Sequence, residues 1–215
     1  MKKSARFSEE RFELAPVVGI ARGYGTETVL KVAEAYRAAG LTTLEVTMNS
    51  PDIGETLALL RQNFPKLNIG AGTVCTQNDL KLALDSGAQF IVTPIVAEAV
   101  IADCRRAGVP VFPGAFTPTE IYRAWSLGAT AVKVFPAANL GISYLRNVLG
   151  PLDAIRLLPT GGVDLDNIAD WFQAGAVGVG MGSSLLDKRL IREGKFKALE
   201  AHFRAVLAAA VGGRS

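Results

Sequence analysis

Two ionisable residues of this sequence stand within apolar, β-branched stretches, where a charge is costly to bury. Lys133 lies in Ala-Val-Lys-Val-Phe-Pro, and Glu45 lies in Thr-Leu-Glu-Val-Thr. Burial in such surroundings lowers the pKa of a lysine, and the neutral amine is the form that attacks a ketone to give a Schiff base. A carboxylate within hydrogen-bond reach can act as the general acid/base. The two residues are therefore candidates for covalent lysine chemistry.

Each of these residues also has a structural interpretation. Lys133 could stand at a strand end with its ammonium group reaching into solvent. Glu45 could be held in a plain ion pair with an arginine. The sequence pattern by itself favours neither interpretation over the catalytic one, because perturbed groups in clefts are only candidates for function.

The histidine and cysteine content narrows the possible chemistry. His202, the single histidine, lies in an amphipathic C-terminal segment and is predicted to be a helix-surface or packing residue. A Ser-His-Asp triad and a histidine-rich metal site are thereby nearly excluded. Cys75 and Cys104 form neither a C-x-x-C motif nor a zinc spacing. Proton transfer must then use a carboxylate, a lysine, a tyrosine or water.

The composition predicts one globular domain over residues 1–215, with residues 1–16 as an N-terminal extension or helix. The chain is 49% hydrophobic and 20% charged, with a net charge of +3. No basic run interleaves with aromatic residues, so nucleic acid is not an expected partner. The basic N-terminus lacks an apolar stretch behind it, and no run of about 18 apolar residues occurs. We therefore expect no secretory signal, no membrane span and a reducing cytoplasmic location.

Eight short apolar runs typical of buried strands alternate with segments typical of helices. The strand-like runs are Val17–Arg22, Thr43–Met48, Asn68–Val74, Phe90–Pro94, Pro110–Ala115, Ala131–Phe135, Arg156–Thr160 and Val177–Gly182. The helical segments include Glu27–Ala39, Ile53–Asn63, Gln77–Ser86, Ala97–Ala107, Pro118–Leu127 and Asp166–Ala174. Such alternation predicts an all-parallel sheet. Eight units in one domain favour an α/β fold of the closed (β/α)8 (TIM) barrel type. The rival is an open doubly wound sheet, whose G-x-G-x-x-G phosphate loop is missing.

The active site of such a barrel lies at the C-terminal ends of the strands. The polar or glycine residues at those ends are Arg22, Glu45, Thr47, Asn49, Thr73, Thr93, Lys133, Thr160, Gly182 and Ser183. Gly161-Gly162 follows the seventh strand, and Gly180-Met181-Gly182-Ser183 follows the eighth. Glycines there let backbone N–H groups approach an anion, and barrels often bind phosphate with these two loops.

The chain resembles the bacterial 2-keto-3-deoxy-6-phosphogluconate (KDPG) aldolases, which are often named jointly with the 4-hydroxy-2-oxoglutarate (KHG) aldolases. Close relatives in that family act on the phosphogalactonate epimer. The resemblance runs from about Val17 to the end, without large gaps. It is carried by Leu-Glu-Val-Thr (44–47), Gly-Ala-Gly-Thr-Val (70–74), Phe-Ile-Val-Thr-Pro (90–94), Phe-Pro-Gly (112–114), Val-Lys-Val-Phe-Pro (132–136), Pro-Thr-Gly-Gly-Val (159–163) and Gly-Met-Gly-Ser (180–183).

The resemblance implies a role for each matching position. Lys133 is similar to the Schiff-base lysine, Glu45 to the general acid/base, and Thr73 to a residue that holds the pyruvate carboxylate. Gly161, Gly162, Gly182 and Ser183 are similar to the phosphate-binding residues. The wider predicted substrate-binding set adds Arg22, Thr47, Asn49, Pro94, Phe135 and Thr160. The expected ligands are a phosphorylated keto-deoxy sugar acid and pyruvate, with no metal, no cofactor and a homotrimeric assembly.

One position departs from the family pattern. The phosphogluconate enzymes usually carry an arginine where this chain has Asn49, whereas the phosphogalactonate branch has Asn-Ser-Pro there and an arginine that ends strand one. This chain has Asn-Ser-Pro at 49–51 and Arg22 at the end of its first strand. Arginine binds carboxylates in a two-pronged geometry, so we predict that Arg22 contacts the substrate. The alternative is that Arg22 pairs with Glu45. The substrate epimer stays open.

Two other functions compete with the aldolase. A phosphosugar isomerase, epimerase or synthase on the same barrel would share the phosphate loops. Lys133 in the sixth strand, and the lack of the histidines that metal-dependent epimerases use, favour the aldolase. A non-catalytic phosphosugar-binding protein would not need both Lys133 and Glu45. The leading prediction is a class I aldolase that releases pyruvate and glyceraldehyde 3-phosphate, or glyoxylate from 4-hydroxy-2-oxoglutarate.

Overall fold

The structure is a computed structural model that describes residues 6–214, in which eight parallel strands form a closed barrel. The strands are β1 (Val17–Ala21), β2 (Thr43–Thr47), β3 (Asn68–Gly72), β4 (Ile91–Thr93), β5 (Val111–Ala115), β6 (Val132–Val134), β7 (Leu157–Pro159) and β8 (Val179–Met181). Each pairs in parallel with the next, and β8 pairs with β1. An isolated bridge from Thr160 to Gly180 joins β7 to β8. The predicted (β/α)8 barrel is confirmed.

The helices surround the barrel. They are α1 (Glu9–Leu14), α2 (Thr26–Ala38), α3 (Ile53–Asn63), α4 (Gln77–Asp85), α5 (Glu98–Ala107), α6 (Pro118–Ser126), α7 (Ile142–Leu149), α8 (Ile168–Gln173), α9 (Lys188–Arg192) and α10 (Phe196–Gly212), with a 3₁₀ turn at Ala137–Asn139. The six segments predicted as helices are all helical to within two residues at each end. Among the helices of residues 6–214, none has the length and hydropathy of a membrane span.

Two apolar layers hold the barrel together. The larger one lies between the strands and the helices and includes residues such as Leu44, Ile69 and Leu57. The smaller one fills the inside of the barrel, with Val18, Phe90, Val92, Phe112, Ala131 and Leu158 from the strands and Phe12 from α1. Because side chains alternate along a strand, β1, β4, β5 and β7 each contribute residues to both layers. Buried polar side chains lie at the start of β2 and β3, namely Thr43 and Asn68, and toward the C-terminal ends of the strands, where Glu45, Lys133 and Thr160 stand.

The N-terminal segment of the described chain closes the lower end of the barrel. Phe7 makes edge contacts with the rings of Phe90 and Phe112, at centroid distances of 5.5 and 6.2 Å. Asn68, buried at the start of β3, accepts from the Ser8 N–H and donates to the Ser8 carbonyl, both at 2.9 Å. Residues 1–5 of the predicted N-terminal extension lie outside the described residues.

Tyr36 on α2 fastens the first two strands to the helical layer. Its buried hydroxyl accepts from the Gly19 N–H at 3.0 Å and donates to the Thr43 carbonyl at 2.7 Å. Gly19 is required opposite the ring, because a Cβ atom there would lie 2.7 Å from Tyr36 Cε2. Burial raises the pKa of the Tyr36 hydroxyl above its ordinary value, so this group stays a donor. The bonds fix β1, which Arg22 follows directly, and β2, which contains Glu45 and Thr47.

Replacing Tyr36 with phenylalanine is expected to lower the free energy of unfolding by about 1–3 kcal/mol, because the Gly19 N–H and the Thr43 carbonyl lose a buried partner. Urea denaturation followed by circular dichroism measures the change. Tyr122→Phe is the matched control, since the Tyr122 side chain is exposed, and it should cost no more than about 0.5 kcal/mol. Equal effects of the two substitutions would show that the buried hydroxyl is not a structural link.

Candidate active site

A cavity of about 620 Å³ opens at the C-terminal ends of the strands. Ten of the predicted site residues line it, namely Arg22, Thr73, Pro94, Lys133, Phe135, Thr160, Gly161, Gly162, Gly182 and Ser183. The lining comes from six of the eight strands or the loops that follow them. A barrel thus converts residues far apart in sequence into one concave surface at the place where barrel enzymes bind their substrates.

Lys133 and Glu45 approach each other from opposite sides of the barrel. Lys133 is on β6 and Glu45 on β2, which are four strands apart in an eight-stranded ring. Both side chains line a small interior space of about 10 Å³ beneath the main cavity, together with Thr160. A space of that size is at the lower limit for a single water molecule. The two predicted catalytic residues therefore share the floor of the site.

Glu45 is buried without a hydrogen-bond partner. Its side chain is 1% exposed, and Oε1 has no partner among the described residues. Gly72 on the neighbouring strand makes room for it, because a Cβ atom at Gly72 would overlap Oε1. Burial raises the pKa of the Glu45 carboxyl, and the positive charges of Lys133 and then Arg22 oppose that shift only in part. Burial therefore favours the protonated form of this carboxyl, as expected of a group that exchanges a proton during a reaction.

Lys133 is held in a similarly dry environment. It is 4% exposed, and its Nζ lies 4.7 Å from the centroid of the Phe135 ring. Burial lowers the pKa of the Lys133 amine, while Glu45 opposes that shift and Arg22 adds to it. Neither Lys133 nor Glu45 forms an ion pair within 4.0 Å with a described residue. The structure therefore does not show Lys133 as a solvated lysine, and it does not show Glu45 paired with an arginine.

Arg22 faces the cavity and is tied to two other predicted site residues. Its Nη1 donates to Asn49 Oδ1 at 3.3 Å and to Thr73 Oγ1 at 3.4 Å. Thr73 has a left-handed backbone, with φ of 61°, which is uncommon and strained for a β-branched residue. The surrounding structure holds Thr73 in this conformation, with its side chain beside Arg22 at the edge of the cavity. The alternative pairing of Arg22 with Glu45 does not occur.

Two predicted substrate-binding residues lie outside the cavity lining. Thr47 is buried, and its hydroxyl is 3.1 Å from that of Ser50, which in turn accepts from the Gly23 N–H at 2.9 Å. Asn49 is exposed and holds Arg22 from the side. Both residues thus support the turn that carries Arg22. Their predicted contact with substrate stays a prediction.

Two loops at one end of the cavity present unoccupied backbone donors. Gly161 and Gly162 have φ of 86° and 82°, a left-handed conformation that glycine adopts readily. Within residues 6–214, the N–H groups of Gly161, Gly162, Ser183 and Ser184 donate to no backbone or side-chain acceptor. The Ser184 hydroxyl donates to the Val163 carbonyl at 2.6 Å and so ties the two loops together. Consecutive free amides of this kind form an anion-binding concavity.

The structure adds cavity residues that the sequence did not single out. They are Ile20, Tyr24, Val163, Asp164, Ser184, Leu186 and Lys188. Ser184 follows a predicted residue directly, and its carbonyl lies 2.8 Å from His202 Nε2 on α10. His202 is thus a packing residue, as predicted, and it supports a loop of the site. Lys188 lies beyond the last strand, where no motif pointed to it.

Comparisons with known proteins agree with this geometry. Residues 8–202 match the family model described as KDPG and KHG aldolase. The 2-dehydro-3-deoxy-phosphogluconate aldolase of Treponema pallidum is 36% identical over 193 residues, which cover 89% of this chain and 90% of the relative. The 2-dehydro-3-deoxy-6-phosphogalactonate aldolase of Escherichia coli is 34% identical, covering 79% and 84%.

The chain is also similar to a solved structure from this family. The KDPG aldolase of Legionella pneumophila, crystallised with pyruvate captured as a covalent carbinolamine intermediate, superimposes with a TM-score of 0.85. It is 28% identical and covers 93% of this chain and 98% of its own. The matched length, the barrel and the identities above 30% leave one assignment: the chain belongs to the KDPG and KHG aldolase family.

Proposed function

We propose that this chain is a class I aldolase that cleaves 2-keto-3-deoxy-6-phosphogluconate, or its galactonate epimer, to pyruvate and glyceraldehyde 3-phosphate. The observation that carries the proposal is the buried amine of Lys133, which forms no ion pair with a described residue and shares the floor of the cavity with the buried carboxyl of Glu45. A carbinolamine, as captured in the Legionella relative, is the product of an amine adding to a ketone. A phosphosugar isomerase or a sensor would not need such a lysine.

The reaction begins when the neutral amine of Lys133 adds to the C2 ketone of the substrate. Loss of water from this carbinolamine gives an iminium ion. Glu45 accepts the proton of the C4 hydroxyl, directly or through water, and the electron pair of the breaking C3–C4 bond moves into the iminium. Glyceraldehyde 3-phosphate leaves, and the enamine takes a proton at C3. Hydrolysis then releases pyruvate and restores the amine. The iminium is the electron sink, so the scheme invokes neither metal nor cofactor.

The two ends of the substrate fit the two polar ends of the cavity. We assign the carboxylate to Arg22 and Thr73, because a guanidinium stays charged at every working pH. We assign the phosphate to the free amides of Gly161, Gly162 and Ser183, next to Gly182. Pro94, Phe135 and Thr160 line the space between these ends. Thr47 and Asn49 position Arg22. The unphosphorylated 4-hydroxy-2-oxoglutarate is a further candidate substrate.

The cellular form is proposed from the family resemblance. Members are usually homotrimers, and we propose a homotrimer of single-domain chains in the cytoplasm. Ile95 and Phe116, in the loops that follow β4 and β5, are large exposed side chains, and an apolar surface there is available for contact between copies. Light scattering measures the assembly, and a monomeric mass would contradict the trimer.

Reduction with borohydride in the presence of pyruvate should attach a stable three-carbon adduct to Lys133 and abolish activity. Peptide mass spectrometry locates the adduct. Lys133→Ala should lose both the adduct and the activity, whereas Lys66→Ala, which removes an exposed lysine, should behave as the unmodified protein does. Full aldolase activity in Lys133→Ala, or an adduct on another residue, would contradict the mechanism.

Glu45→Gln should still form the imine but turn over about 10²–10⁴-fold more slowly, because the proton carrier is lost. The negative charge of Glu45 raises the pKa of Lys133, so its removal should lower that pKa further. More of the amine is then neutral at low pH, and the pH of half-maximal pyruvate trapping by cyanoborohydride should fall. An upward shift, or an unchanged turnover, would rule out this role for Glu45.

Arg22→Lys should raise the KM for pyruvate about tenfold or more in the exchange of its methyl protons, because lysine keeps the charge but loses the two-pronged geometry. Proton NMR in deuterated water measures the exchange. Arg37→Lys on the outer face of α2 is the control and should leave the KM unchanged. If the pH profile of Arg22→Lys changes while its KM does not, Arg22 acts on Glu45 instead of on the substrate.

A further inference from the structure

The lining of the cavity includes a lysine, close in sequence to Ser183 and Ser184, that the proposed mechanism does not use. Three cationic side chains line the cavity: Arg22, Lys133 and Lys188. Lys188 is the first residue of α9 and is exposed. Among the ion pairs of residues 6–214 within 4.0 Å, none includes Lys188.

The carboxylates near Lys188 are occupied by backbone donors. Asp187 accepts from the N–H groups of Arg189 and Leu190, at 2.8 and 3.0 Å. Asp164, the acidic residue of the cavity lining, accepts from those of Asp166 and Asn167, at 3.0 and 3.1 Å. Neither carboxylate neutralises Lys188 in an ion pair, so its ammonium is available to a ligand.

A phosphate monoester carries a charge of about −1.5 to −2 at neutral pH. The amides of Gly161, Gly162, Ser183 and Ser184 donate hydrogen bonds but carry no formal charge. Arg22 is engaged with Asn49 and Thr73, and Lys133 is reserved for the ketone. Of the three cations that line the cavity, only Lys188 remains to balance the phosphate.

We infer that Lys188 is a phosphate ligand and makes the site prefer phosphorylated substrates over 4-hydroxy-2-oxoglutarate. This inference rests on the proposed function, because it names a specificity residue for that reaction. A lysine is suited to the role as a compact charge on a flexible stem that reaches from the rim of the cavity. The amides fix the position of the phosphate, and Lys188 supplies the charge.

The kinetic test compares Lys188→Gln with Arg189→Gln, which removes the same charge from the next residue of α9 but lies outside the cavity lining. In Lys188→Gln, the kcat/KM for the phosphorylated substrate should fall about tenfold through KM. The value for 4-hydroxy-2-oxoglutarate should stay within about twofold, and Lys188→Arg should restore most of the loss. Equal losses on both substrates, or an equal loss in Arg189→Gln, would overturn the inference.

A binding test separates this inference from the proposed function. Isothermal titration with glycerol 3-phosphate needs no turnover. The unmodified protein should bind it more tightly than Lys188→Gln does, and added salt should reduce that difference because it screens the charge. Equal affinity in the two proteins would overturn the role of Lys188. Weakened binding in Lys188→Gln, combined with no pyruvate adduct on Lys133, would instead retain the phosphate ligand and reject the aldolase.

Discussion

An amine and a carboxyl are buried together in this barrel without forming an ion pair, and the rest of the site depends on that arrangement. A direct pair would hold Lys133 protonated, and a protonated amine cannot attack the ketone that begins the chemistry. Opposite strands keep the two groups apart, and the apolar filling beneath them keeps water out. The raised pKa of Glu45 and the lowered pKa of Lys133 both have burial as their largest cause. The site is therefore a property of the closed interior, and no single loop could reproduce it.

Glycines on the strands leave room for the side chains that fill the interior of the barrel. Gly70 stands where a Cβ atom would lie 2.5 Å from the Phe90 ring, and Gly72 stands against Glu45. Along β3, the residue packed against the strand thus changes from the aromatic Phe90 at Gly70 to the ionisable Glu45 at Gly72. This exchange marks the boundary between the part of the interior that stabilises the fold and the part that performs chemistry. The side chains inside the barrel therefore stabilise the fold in its lower part and form the site in its upper part.

The sequence predicted the barrel and its floor well, because strands and helices have different apolar periods and because Lys133 and Glu45 break an apolar run. It predicted the rim less well. Tyr24 and Ser184 reach the cavity from loops and Lys188 from the first residue of α9, at positions that no apolar periodicity predicts. Thr47 matches the family pattern, yet its hydroxyl turns to Ser50 behind the cavity. A strand-end position indicates proximity to the site, whereas the orientation of the side chain depends on tertiary hydrogen bonds.

The closure of the barrel has a consequence for its response to ligands. β7 and β8 meet through one bridge, between Thr160 and Gly180, and one further bond from the Val177 N–H to the Leu157 carbonyl. The loops with the free amides of Gly162 and Ser183 flank this seam. An anion bound by both loops would link β7 to β8, the pair of neighbouring strands with the fewest contacts, and would stabilise the folded barrel by mass action. Ligand binding and the pairing of β7 with β8 are thereby coupled. In the absence of a ligand, the barrel should open first between these two strands.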